Sequence, residues 1–185
     1  MRIISGSYRG RRLARVPEQI RPTGGRIKES LFDLLGETLQ GKVWIEPFAG
    51  SGAMAVEALS RGAAGAILND RDPEALELVR RNLGICGVKE PCELSQADVF
   101  VFLRGLTLAS VDFVFLDPPH DFGRHRKLLE KVAALEGVGR GTVIILEAFR
   151  KLEMDFLPEG LSIFRTLKVG ASQIVLMRKV SPDNS

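Results

Sequence analysis

Residues 43–62 read VWIEPFAGSGAMAVEALSRG, and this stretch decides the fold. Val43–Glu46 is the short, nearly continuous apolar run of a strand buried on both faces. Gly50 and Gly52 follow it, and Ser51–Arg61 then runs at helical spacing until Gly62 stops it. Strand, glycine turn and helix in that order open a βαβ unit, whose strands lie parallel.

The alternation continues downstream. Ala66–Asn69 is a second strand, and Asp72-Pro73 supplies a cap and a first-turn proline for a helix to about Ile85. Cys92–Ser95 is a third strand, followed by a short helix over 97–104. Val111–Leu116 is an apolar strand ended by Asp117-Pro118-Pro119, residues 124–135 are a helix, and Thr142–Leu146 is a fifth strand. Leu161–Lys168 and Ser172–Arg178, joined at Gly170, predict a closing antiparallel hairpin. The expected architecture is α/β and Rossmann-like: a seven-stranded, mostly parallel sheet with helices on both faces. Upstream, Ile27, Leu31, Leu34 and Leu35 mark an amphipathic helix over 24–38, and RIISGSYRGRRLA (2–14) predicts a small hairpin between Gly6 and Gly10. This divides the chain into a basic arm (1–23), a main domain (24–180) and a frayed tail (181–185).

At 185 residues, 45% apolar and 26% charged, the chain is long enough for one self-standing core. No apolar run approaches the length of a membrane span, and the N-terminus lacks the apolar stretch of a secretory signal. Cys86 and Cys92, six apart, have no zinc or redox spacing, so reduced thiols in a cytoplasmic protein are expected, with no metal site. The net charge of +3 conceals an asymmetry. Residues 1–28 carry eight basic side chains against Glu18 alone, while the remainder carries 18 basic and 22 acidic groups. A basic segment on an acidic body points to a polyanionic partner. Arg9, Arg11 and Arg12 suit phosphate contact and Tyr8 suits stacking on an unpaired base, although a merely solvated basic surface would look the same.

In open parallel sheets, ligands bind where strands end and strand order reverses. Glu46-Pro47-Phe48-Ala49-Gly50-Ser51-Gly52 lets backbone approach a ligand closely, and Asp70, 20 positions after Gly50, can accept from ribose hydroxyls. That pair fits NAD or S-adenosylmethionine. Glu46 shifts the balance, because it would repel a pyrophosphate and attract a sulfonium or an ammonium. Asp98 can accept from an adenine amino group, or it can simply cap the helix that follows. In VDFVFLDPPH (111–120), the Asp117 carboxylate and the Pro118 carbonyl are two adjacent acceptors on a rigid turn. They can hold both hydrogens of an amino group on an aromatic base and aim its lone pair at a methyl donor.

EPFAGSG (46–52), Asp70, Asp98 and DPPH (117–120), in this order, resemble class I S-adenosylmethionine-dependent methyltransferases of the [D/N]PP[Y/F] amino-methylating group. RIISGSYRGRRL (2–13), RPTGGRIKESLF (21–32), EPFAGSGAMAVEALSRGAAGA (46–66) and VFLDPPH (114–120) together resemble the RsmD, or YhhF-like, family, from Arg2 to about Lys179. The resemblance implies methyl transfer from S-adenosylmethionine to the N2 amino group of a guanine in bacterial 16S ribosomal RNA. It implies a small ribosomal subunit or assembly intermediate as partner, with no membrane and no obligate protein partner. Asp117, Pro118, Pro119 and His120 are then catalytic. Glu46, Phe48, Gly50, Gly52, Asp70, Asp98 and Val99 bind cofactor, and Arg9, Arg11, Arg12, Arg21, Thr23 and Arg26 meet RNA. Two positions depart from the family pattern: Glu46 where Asp is usual, and His120 where Phe or Tyr would stack on the target base. Phe122 is the other candidate stacker. The competing functions are an adenine-N6 methyltransferase, an NAD-binding oxidoreductase and an inactive RNA-binding scaffold.

Overall fold

The computed structural model describes residues 1–15, 25–155 and 157–180. The elements are α1 (Gly25–Leu35) with a 3₁₀ turn over Gly36–Leu39, β1 (Val43–Glu46), α2 (Ala53–Ser60), β2 (Gly65–Asn69), α3 (Pro73–Cys86), β3 (Cys92–Ser95), α4 (Val99–Gly105), β4 (Phe113–Leu116), α5 (His125–Ala133), β5 (Val143–Phe149), β6 (Leu161–Val169) and β7 (Ser172–Lys179). The seven strands lie in the order β3-β2-β1-β4-β5-β7-β6, with β7 antiparallel to both its neighbours. This is the strand order of class I methyltransferases. The chain steps outward from β1 to β2 and β3, then returns to place β4 on the other side of β1. That reversal opens a crevice above the carboxyl ends of β1 and β4.

Alternation along the strands builds two cores. Trp44, Phe113, Phe115, Val143 and Ile145 face the layer containing α1, α2 and α3, while Ile45, Val114, Leu116, Ile144 and Leu146 face α4 and α5. The Trp44 ring is fully buried and stacks with Phe32, Phe113 and Phe115 at centroid distances of 5.6, 6.1 and 5.7 Å, tying α1 to the middle of the sheet. No helix among the described residues is long and apolar enough to cross a membrane.

The expected N-terminal hairpin is reduced to one antiparallel bridge, Arg2 with Arg12. The ladder stops because its donors are taken elsewhere. The amides of Ile4 and Ser5 donate to the Glu57 carboxylate at 2.9 and 3.0 Å, and that of Ser7 donates to the Ser60 carbonyl at 2.7 Å. Ile3, Tyr8 and Leu13 are buried in the main core, so residues 1–15 lie against the body. Gly6 makes the close approach possible: a β-carbon there would stand 1.6 Å from the Ser60 carbonyl oxygen. Tyr8 is not available to stack on a base. It is 7% exposed, its hydroxyl donates to Glu90 at 2.6 Å, and Arg11 covers its ring at 5.2 Å. The 23/24 boundary and the tail 181–185 fall outside the described residues.

Lys28, counted among the basic residues of the N-terminal segment, is completely buried. Its Nζ donates to Glu57 Oε2 at 2.7 Å and to the Arg2 carbonyl at 2.7 Å, and Arg61 donates to the other Glu57 oxygen at 3.0 Å. Burial disfavours the Glu57 carboxylate, but the Lys28, Ile4 and Arg61 donors together carry its pKa below the ordinary 4.5. A lowered acid pKa stabilises the fold above the unfolded-state value and loses that contribution as pH falls through the native value. Removing one partner of a buried pair strands the other charge, so Glu57→Ala is expected to cost about 3–5 kcal/mol in urea denaturation. The doubly apolar Lys28→Met/Glu57→Leu variant should lose less. Glu57→Ala should also flatten the fall in stability below about pH 4.5 that the wild type shows.

Candidate active site

The glycine turn is set by backbone geometry. Gly50 and Gly52 have φ of 51° and 70°, the left-handed region, and Gly52 opens α2. A β-carbon on Gly52 would press on the Val79 methyls at 3.2 Å, so the turn is also seated tightly on α3. Asp70, at the end of β2, fastens this turn in place. One carboxylate oxygen accepts from the Gly50 amide at 2.9 Å and the other from the Asp72 amide at 3.0 Å. Asn69 holds the neighbouring loops, its amide donating to the Pro47 and Ala97 carbonyls, both at 3.1 Å.

Above the β1/β4 reversal lies a cavity of about 620 Å³. Glu46, Phe48, Gly50, Asp70, Asp98, Val99, Asp117, Pro118, Pro119, His120 and Phe122 all line it, so residues spread over 77 positions of sequence share one crevice. Gly52 shapes the turn from behind without lining it. Glu46 is 2% exposed and accepts from the Trp44 indole at 3.1 Å. Burial pushes its carboxyl up to about 8; the Trp44 bond opposes this and the nearby Asp117 and Asp70 charges add to it. The acid read from the sequence at this point thus lines the cavity with its carboxyl held toward the protonated form. Asp98 does cap α4, one oxygen accepting from the Phe100 amide at 2.8 Å, and it remains exposed at the cavity wall.

A second cavity of about 560 Å³ adjoins the first. Pro118, Pro119, His120, Glu147, Ala148 and Ala171 line both, so the DPPH turn forms part of a shared wall. The two aromatic candidates separate here. Phe122 lines only the first cavity and packs with Phe48 at 5.4 Å and Phe100 at 6.2 Å, under Arg124. His120 stacks on Phe149 with ring centroids 4.0 Å apart and 24° between planes, at the second cavity. Arg9, Arg11, Arg12 and Arg26 are exposed but line neither cavity, and Arg21 and Thr23 lie outside the described residues. Tyr8 docks against Ser60 at the end of α2 and Glu90 just before β3, at the strands' amino ends. The Arg9–Arg12 stretch is thereby anchored near the edge of the sheet opposite the crevice. The basic groups at the second cavity are instead Arg150, Lys151 and His125. Arg150 and Lys151 flank no motif, and the signal for them was their position just beyond the carboxyl end of β5, while His125 opens α5.

A family model described as conserved hypothetical protein 95 matches residues 1–178. YlbH of Bacillus subtilis is 31% identical over 182 residues, covering 97% of this chain and 99% of that one. Ribosomal RNA small subunit methyltransferase D of Escherichia coli is 37% identical over 138 residues, 73% of this chain and 66% of its own length. Among solved structures, YhhF of Escherichia coli superposes with a TM-score of 0.82 at 29% identity, over 97% of both chains. SMU.776, a protein of this fold solved with S-adenosylhomocysteine, is 16% identical with a TM-score of 0.67 over 84% of this chain and 48% of its own. With its own strand order and crevice matching this outcome, the chain belongs to the conserved hypothetical protein 95 family, the RsmD and YhhF-like methyltransferases.

Proposed function

We propose that this protein transfers a methyl group from S-adenosylmethionine to the N2 amino group of a guanine in small-subunit ribosomal RNA. The observation that carries it is the shared wall: the DPPH turn separates a cavity lined by the glycine turn and acids from one flanked by exposed Phe149, Arg150 and Lys151. The first suits an adenosyl cofactor, with Asp70 at a ribose, Asp98 and Val99 at an adenine, and Glu46 near the cationic amino-acid end. The second suits a base swung out of RNA and stacked on His120 and Phe149. The named relatives of this family that act on small-subunit ribosomal RNA support the substrate class.

S-adenosylmethionine supplies an electrophilic methyl carbon on a sulfonium. Asp117 and the Pro118 carbonyl accept the two N2 hydrogens and hold the amino nitrogen in line with that carbon. Methylation would leave N2 with one proton in excess, which the Asp117 carboxylate would accept and pass to solvent. Positioning and electrostatics carry the rate, with no covalent enzyme intermediate.

Unmodified small subunits incubated with labelled cofactor should yield N2-methylguanosine on nucleoside analysis; N6-methyladenosine instead would sink the proposal. Asp117→Ala should lower kcat by about a hundredfold or more and change S-adenosylhomocysteine affinity by less than about threefold. Affinity for S-adenosylhomocysteine should tighten as pH rises toward about 8, because its ammonium favours an ionised Glu46 and binding expels that proton. Calorimetry in buffers of different ionisation enthalpy reads the released proton directly, and Glu46→Gln should abolish it. Raising salt from 50 to 200 mM should weaken subunit binding and leave cofactor binding nearly unchanged.

A further inference from the structure

Three acids stand in a row along the carboxyl edge of the sheet. Phe113, Phe115 and then Asp117 alternate onto one face of β4, as Val143, Ile145 and Glu147 do on β5 and Trp44 and Glu46 do on β1. The parallel register pairs Leu116 with Leu146, so Asp117 and Glu147 follow side by side on neighbouring strands. Glu46 lines only the cofactor cavity, whereas Glu147 lines both cavities and is 8% exposed. Glu147 thus stands on the wall that the two cavities share, together with Pro118, Pro119, His120, Ala148 and Ala171. The base-recognition role assigned from sequence to Asp117, Pro118 and His120 leaves Glu147 unaccounted for.

We infer that Glu147 is a specificity-determining residue that accepts the N1–H of the target guanine, while Asp117 and Pro118 hold the N2 amino group. The inference rests on the guanine reading and deepens it. Guanine presents N1–H beside its N2 amino group, so two adjacent donors face two adjacent carboxylates. Adenine presents an acceptor at N1 beside its N6 amino group, and the Glu147 carboxylate would face a lone pair. A site built to accept a hydrogen bond rejects an analogue without the donor far more strongly than an apolar pocket rejects a change of shape. Glu147 thus separates two amino-bearing bases that the DPP turn alone treats alike.

The test uses small subunits reconstituted with RNA carrying either guanine or 2-aminopurine at the methylated position. 2-Aminopurine keeps the N2 amino group and replaces N1–H with an acceptor. The wild type should favour guanine in kcat/KM by on the order of a hundredfold. Glu147→Gln offers an amide that can turn its NH2 to the 2-aminopurine N1 or its carbonyl to the guanine N1–H, so it should shrink the preference at least about tenfold. Unchanged S-adenosylhomocysteine binding confirms that the variant is folded. Equal wild-type transfer to both bases overturns the role of Glu147 without need of any variant, as does an unchanged preference in Glu147→Gln. Methylation of adenine by the wild type would instead overturn the guanine reading itself, and the role of Glu147 with it.

Discussion

A parallel sheet covered by helices on both faces can offer polar chemistry only where its strands end. Here the covering is complete: residues of β1, β4 and β5 below their final positions are almost all buried and apolar. The acids that line the crevice stand at the last position of β1, just past β2 and β4, before α4, and near the end of β5. The reversal of strand order between β1 and β4 leaves room above them, because the connections from those two strands leave in opposite directions. Sheet topology thus sets the crevice, and the residue types set its chemistry.

Packing makes that edge rigid enough for alignment. Trp44 anchors α1 against the central strands with its ring and holds Glu46 with its indole N–H. Asp70 holds the Gly50 turn, and Asn69 holds the loops after β1 and β3. Asn69 and Asp70 order the backbone while themselves lining the crevice. Burial, with the Asp117 and Asp70 charges beside it, pushes the Glu46 carboxyl up to about 8 against the pull of that indole bond.

The strand–helix alternation, the order of motifs and the strand-end residues that line the first cavity were legible in sequence because they depend on local periodicity and on glycine, proline and aspartate at loop positions. The N-terminal segment was not legible in the same way. Its charge pattern suggested a free arm, but its placement depends on Glu57, Ser60, Asn82 and Glu90, all distant in sequence. Lys28 reads as one more surface base until its partner is seen. Glu147 was hidden for a related reason: it continues an apolar strand, VIILEAF, and only the register with β4 brings it beside Asp117. Hydrophobic periodicity reports which face a residue takes, not which strand lies next to it.

The docking of residues 1–15 bears on how the chain is made. Ile4 and Ser5 bond to a residue more than 50 positions ahead, Ala14 to one 68 ahead, and Tyr8 to one 82 ahead. During synthesis these residues leave the ribosome well before their partners exist. Until residue 90 has emerged, Ile3, Tyr8 and Leu13 have no complete surface to cover, and Arg2, Arg9, Arg11 and Arg12 travel on an unanchored segment. Closure of this segment is one more long-range event in a fold whose central pairing, β1 with β4, is itself non-local, so both wait on chain that emerges much later.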